Sequence, residues 1–214
     1  MPNENKPRIK PLLPPDWNQE IIDALGAFPG GLKFVQSGWE KEGQAVRGTY
    51  MLGSFAHHPD LAKAFLTFNN HVATNSTLSA RDRELIILRT GWLRQCEYEY
   101  VMHVILGSRA GLSDEEITRT QQGPDAPGWN KEDADLIRVA DELHTISRIS
   151  EKTWTRLASR YSQQQMLDMI FLVGCYDMVA ISINSLGVSL EPGVDPLDAK
   201  TKARMNKQIP KNQL

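Results

Sequence analysis

Apolar residues recur along this chain with a helical period, and turn residues cut the pattern into short lengths. From Asp16 onward Ile21, Ile22 and Leu25 share a helical face, with Asp16 placed to cap the helix and Gly26 and Pro29-Gly30-Gly31 to end it. Residues 59 to 72 repeat the logic: Pro59 sits early, Leu61, Phe65 and Phe68 follow at helical spacing, and Asn75-Ser76 closes the segment. Ser79-Ala80-Arg81-Asp82 opens the next helix with an acid three residues after the serine, and Leu85, Ile86 and Leu88 supply its apolar face. Gly91 weakens the middle of that run, which reaches about Arg109 as two helices or as one bent helix.

Gly111 followed by Ser113-Asp114-Glu115-Glu116 reads as a helix stop and a capped start, and Gly123-Pro124-Asp125-Ala126-Pro127-Gly128 as a loop. Further helices are expected near 131–146, 151–160 and 163–186. The last is apolar nearly all round, the pattern of a helix buried between neighbours or subunits. No segment alternates with the period of a strand. The predicted fold class is all-α.

Five prolines among the first 15 residues predict an extended N-terminal arm over 1–15, ahead of a single helical domain over 16–190. The remaining 191–214 hold five basic residues among few apolar ones and read as a C-terminal surface tail. The 214 residues are 41% hydrophobic and 23% charged, enough apolar material for one sizeable core. A net charge of -2 offers no general attraction to nucleic acid or to an anionic membrane. Asp168, Asp177 and Asn184 interrupt the most apolar stretch, Met166 to Leu186, and argue against a bilayer span. Only Cys96 and Cys175 could form a disulfide, so a reducing compartment is the simpler reading. The N-terminus leads into prolines rather than an apolar run, so the expected location is the cytoplasm.

One segment concentrates the chemistry. At about 100° per residue, Glu99 lies roughly 60° and His103 roughly 20° from Cys96, with Tyr100 about 40° to the other side. A thiol, a carboxylate, an imidazole and a phenol therefore share one helical face. Arg89 joins them if the helix runs straight through Gly91, and Glu84 joins only if a break swings its turn around. Glu99, four residues before His103, can hold the imidazole and favour its charged form. A charged His103 or Arg89 beside Cys96 would favour thiolate over thiol. A Glu–His pair suits proton transfer near neutral pH, and an arginine suits a carboxylate substrate.

The bland alternative is a surface ion pair at i, i+4 beside a cysteine that packs as a small hydrophobe. Against it, Tyr, Met, Val and Ile surround the cluster. No metal site is expected: His57 and His58 point apart at a helix entrance, and Glu99-x-x-x-His103 is half a site without its other half. Gly30-Gly31 and Gly123-Pro124 follow no strand, which removes a phosphate-cradling loop. His71 and His144 read as structural, and the five tryptophans are scattered.

Leu78 to Arg89, then Cys96-Glu97-Tyr98-Glu99-Tyr100 and His103, resembles the carboxymuconolactone decarboxylase and AhpD-like family. Ala56-His57-His58-Pro59-Asp60-Leu61, Gly123 to Trp129 and Asn184-Ser185-Leu186-Gly187-Val188 are similar to its longer members, so the resemblance covers roughly residues 8 to 195. It implies a core helical hairpin and homo-oligomers, commonly trimers or hexamers. It also implies two chemistries. The alkylhydroperoxidase branch pairs two cysteines, with a glutamate twelve residues before the first and a histidine seven after it. Glu84, Cys96 and His103 match those positions, and Glu99 replaces the second cysteine, so the dithiol cycle cannot run as usual. The decarboxylase branch implies proton transfer, with His103 as general acid or base, Glu99 its orienting partner, Glu84 extending the relay and Arg89 anchoring the substrate acid. Tyr100, where many long members carry tryptophan, would shape the substrate pocket.

The expected function is therefore an enzyme of acid–base type, a carboxymuconolactone-decarboxylase-like lyase or isomerase acting on a small, acidic, ring-derived compound without a cofactor. A single-cysteine thiol peroxidase using Cys96 and a non-catalytic oligomeric interaction protein are the alternatives.

Overall fold

A computed structural model describes residues 7–207 as eleven α-helices, with no strand among them. Chain contacts divide the protein into two compact units, 1–74 with 182–196, and 75–181 with 197–214. Residues 1–6 of the expected N-terminal arm lie outside the described residues.

In the first unit, a 3-10 turn at Pro14–Asp16 precedes α1 (Gln19–Leu25). The cap of α1 is Asn18, whose Oδ1 accepts from the Ile21 N–H at 2.9 Å, and not Asp16. Pro29-Gly30-Gly31, expected as a stop, instead begins α2 (Pro29–Glu42). Proline has no N–H to leave unpaired in a first helical turn, so Pro29 punctuates and starts at once. After α3 (Thr49–Phe55), α4 (Pro59–Asn70) is capped by His58 and runs on into a wider turn at 71–75. Trp17, Leu25, Val35, Leu52 and Leu66 form the core of this unit.

The second unit is built on α5 (Ala80–Leu93), whose N-cap Ser79 accepts from the Asp82 N–H. Every residue from Glu84 to Trp92 is buried, so α5 is packed on all sides and not on one face. Four fully buried aliphatic side chains in a row, Leu85 to Leu88, contribute about 1.5–3 kcal/mol each by leaving water.

The chain then reverses into α6 (Glu97–Arg109), and the two helices form the antiparallel core hairpin: Glu84 meets His103 near one end and Gly91 meets Glu99 near the other. α7 (Asp114–Thr120) carries a complete capping box, and α8 (Lys131–Ile146) packs along α5. α9 (Glu151–Ala158) leads to α10 (Gln163–Leu186), which buries Met169, Leu172 and Val173. The stretch read as a surface tail carries a last helix, α11 (Ala199–Asn206), with Met205 buried.

Candidate active site

The hairpin turn decides which side chains meet. Helix α5 does not break at Gly91; it ends two residues later, at Leu93. The Cys96 N–H bonds the Gly91 carbonyl at 3.0 Å and the Gln95 N–H bonds the Trp92 carbonyl at 3.1 Å, a Schellman closure. Gln95 takes the left-handed position usually given to glycine, at φ 53°. Cys96 is therefore the N-cap of α6 and not a residue within a helix.

This reversal turns Glu84 toward His103. Its Oε2 lies 2.7 Å from His103 Nδ1, both side chains being nine-tenths buried. The carboxylate on the imidazole is thus Glu84, where the sequence pattern suggested Glu99 as the orienting partner. An ionised carboxylate can only accept, so the bond fixes the proton on Nδ1 and leaves Nε2 to exchange one. Tyr176, from α10, meets the imidazole edge to face with ring centroids 4.9 Å apart. Burial pushes the Tyr176 phenol well above its usual range, followed by the nearby charge of Glu84, so it stays protonated.

Glu99 takes a different role. It is buried on the first turn of α6, and neither carboxyl oxygen has a hydrogen-bond partner. Burial raises its pKa well above the ordinary carboxylate range, Asp177 adds to the rise, and Arg94 opposes it. An ionised carboxylate without partners would cost several kcal/mol here, and protonation removes that cost. Glu99 is consequently a neutral acid with an O–H to donate. Gly91 makes room for it: a Cβ there would stand 3.1 Å from Glu99 Oε1. Arg94 is bound to Asp177, with Nε 2.6 Å from Oδ1.

The Cys96 thiol is fully buried. Burial above all raises its pKa; the backbone N–H groups of Glu99 and Tyr98 pull the other way without prevailing. The thiolate that a charged His103 or Arg89 would favour is not the resting form. Cys175 is also buried, as a thiol outside any disulfide.

Arg89 and Tyr100 are tied up by the protein. Arg89 holds Asp141 through Nε at 2.5 Å and Nη2 at 3.2 Å, and its Nη1 donates to the Thr120 and Gln121 carbonyls. Tyr100 donates its hydroxyl to the Ile117 carbonyl and accepts from Gln121 Nε2. These two side chains clamp α5 and α6 to α7, α8 and the turn after α7. Among the described residues, no group of three His, Cys, Asp or Glu side chains could hold a metal ion.

The structure thus joins Glu84 with His103 and seats Glu99 beside Cys96 on the same hairpin. Tyr176, Gly91 and the Arg94–Asp177 pair escaped the sequence reading. The one signal for Tyr176 was a lone phenol inside the most apolar helix.

The comparisons agree with this architecture. Residues 59–142 match the model of the carboxymuconolactone decarboxylase family. No curated protein matches the chain. Among solved structures, an AhpD-core, peroxidase-related protein from Ralstonia eutropha JMP134 is 16% identical, with 87% of this chain and 94% of that one covered at a TM-score of 0.62. A debrominase is 12% identical over 94% of this chain and 97% of its own, again at 0.62. Its cysteine-to-alanine variant in complex with 2,3,4-tribromopyrrole is similar at 11% identity over the same shares, with a TM-score of 0.61. At such identities the likeness is one of fold.

Proposed function

Since residues 59–142 belong to the carboxymuconolactone decarboxylase family, we propose that this chain is an acid–base enzyme that decarboxylates or isomerises a small, acidic, ring-derived compound. The observation that carries the reading is the buried Glu84–His103 hydrogen bond, with the buried and unpartnered Glu99 carboxyl one turn before His103 on α6. In decarboxylation the ring–carboxylate bond breaks, carbon dioxide leaves, and the electron pair stays on the ring as an enolate. Glu99 donates its O–H to the oxygen on which that charge develops, in a site where water does not compete. A proton carried on His103 Nε2 passes to the ring carbon, and Glu84 holds the imidazole in position throughout. Water returns the proton.

A thiol-dependent reading has one observation in its favour, the seat of Cys96 at a helix N-terminus. The burial that keeps this thiol protonated weighs against it.

Carboxymuconolactone is the first substrate to offer, with carbon dioxide release as the readout and a panel of small lactone and keto acids behind it. His103→Ala and Glu99→Gln should each lose about 100-fold or more in turnover, the usual span of general acid–base catalysis, while Cys96→Ser stays active. Hydroperoxide consumption with excess dithiol that vanishes in Cys96→Ser, together with no lactone or keto-acid turnover, would overturn the proposal.

A further inference from the structure

In the first unit, Gly38 lets the chain fold back onto α2. A Cβ there would stand 2.6 Å from the Val46 side chain, so glycine admits the buried valine against the helix. The reversal passes through Gly43, left-handed at φ 64°, and carries Arg47 over the Phe34 ring, with its guanidinium carbon 5.6 Å from the ring centroid. Between α2, this returning segment and residues 192–194 lies a cavity of about 670 Å³, within the ~300–1,000 Å³ of small-molecule sites. All of its lining belongs to the first unit, and none to the unit that carries the core hairpin.

Lys33, Ser37 and Lys41 line the cavity at steps of four residues, a row of cation, hydroxyl and cation about 12 Å long on α2. Phe34, 47% exposed, stands on the neighbouring row with Arg47 over it. Among the described residues, Glu42 is the one acid in the lining, and no carboxylate pairs with Lys33, Lys41 or Arg47. Elsewhere Arg81, Arg89, Arg94, Arg138, Arg156 and Arg160 each hold a carboxylate. A chain of net charge -2 thus keeps three cations without acids in one concavity, where their potentials add.

We infer that this cavity takes a nucleoside di- or triphosphate, its base against Phe34 and Arg47 and its phosphates along Lys33, Ser37 and Lys41. A flat base stacks on an aromatic ring and on a guanidinium plane alike, and here the two stand together. Covering Phe34 removes from water an apolar ring that the chain alone leaves half exposed. Phosphate oxygens accept from ammonium, guanidinium and hydroxyl donors. Two or three linked phosphates spread their charge along a row that a single carboxylate cannot span. Neither Glu99 nor His103 takes part.

Isothermal titration calorimetry of the full chain with ADP, free of divalent metal, is the test, and circular dichroism checks that each variant stays folded. ADP should bind with a dissociation constant below about 1 mM. Lys33→Glu combined with Lys41→Glu should weaken ADP and pyrophosphate by about tenfold or more, while Lys152→Glu, a reversal of an exposed charge outside the cavity, should change neither. Phe34→Ala should weaken ADP by about tenfold and leave pyrophosphate unchanged, because pyrophosphate has no base to stack. ADP that does not bind at millimolar concentration, equal losses from Lys152→Glu and from the paired reversal, or a Phe34→Ala variant that binds ADP as well as the native protein would each overturn it.

Discussion

Replacing Glu99 by glutamine tests the neutral buried acid without changing its shape. Burial raises the folded-state pKa of Glu99 above the value near 4.5 that it has when exposed. The folded state therefore binds this proton more tightly than the unfolded state does. For a raised pKa, the stabilising contribution is complete below the unfolded value and is lost as pH rises toward the folded one. Within that window each pH unit costs the native protein about 1.4 kcal/mol relative to a variant that cannot ionise. From about pH 5 upward the stability of Glu99→Gln should gain on the native protein at that rate for as long as Glu99 stays neutral in the fold. Any fixed cost of placing an amide among the unpartnered atoms is the same at every pH and drops out of the comparison. Urea titrations of both proteins at several pH values measure the gap directly. A gap that stays constant with pH, or that narrows as pH rises, would mean that Glu99 is not held neutral by its surroundings.

Arg89→Ala should destabilise the protein by about 3–5 kcal/mol in the same assay, since it leaves Asp141 without its cation and two carbonyls without a donor. Arg89→Lys should recover little, because an ammonium cannot reproduce the two-pronged contact; a loss below about 1 kcal/mol in either variant would contradict the clamp. Gln95→Gly should stabilise by about 1 kcal/mol by relieving the left-handed backbone at the hairpin turn, read from thermal unfolding. Cys96 should react with a disulfide reagent only as fast as the chain opens, so that a sub-denaturing dose of urea accelerates labelling; rapid modification of the native protein would contradict a buried, protonated thiol.

Local signals made most of the second unit legible. Ser79 and Ser113 each place an acceptor where a helix begins, and the structure uses both as caps. The first unit was harder to read because its punctuation is ambiguous: Pro29 looks like a stop and serves as a first helical residue, while α3 has seven residues and no side-chain cap. The site was half legible. Projecting one straight helix from Glu84 to His103 groups the correct residue types but assigns the wrong partners, because it carries Arg89 toward Cys96 and Glu84 away. What overturns that projection is a turn at Gln95, and glutamine is not a residue that announces a left-handed conformation. Tyr176 reaches the imidazole from 73 positions further along the chain, a contact that spacing alone cannot reveal.

The most direct examination of the proposed chemistry is the deuterium content of the product formed from carboxymuconolactone in heavy water. Native protein should place one deuterium at the carbon that lost carbon dioxide, with His103→Ala and Glu84→Gln slowing its appearance about 100-fold or more and Cys96→Ser leaving it unchanged. Undiminished incorporation in His103→Ala, or its loss in Cys96→Ser alone, would contradict a proton delivered by the imidazole that Glu84 holds.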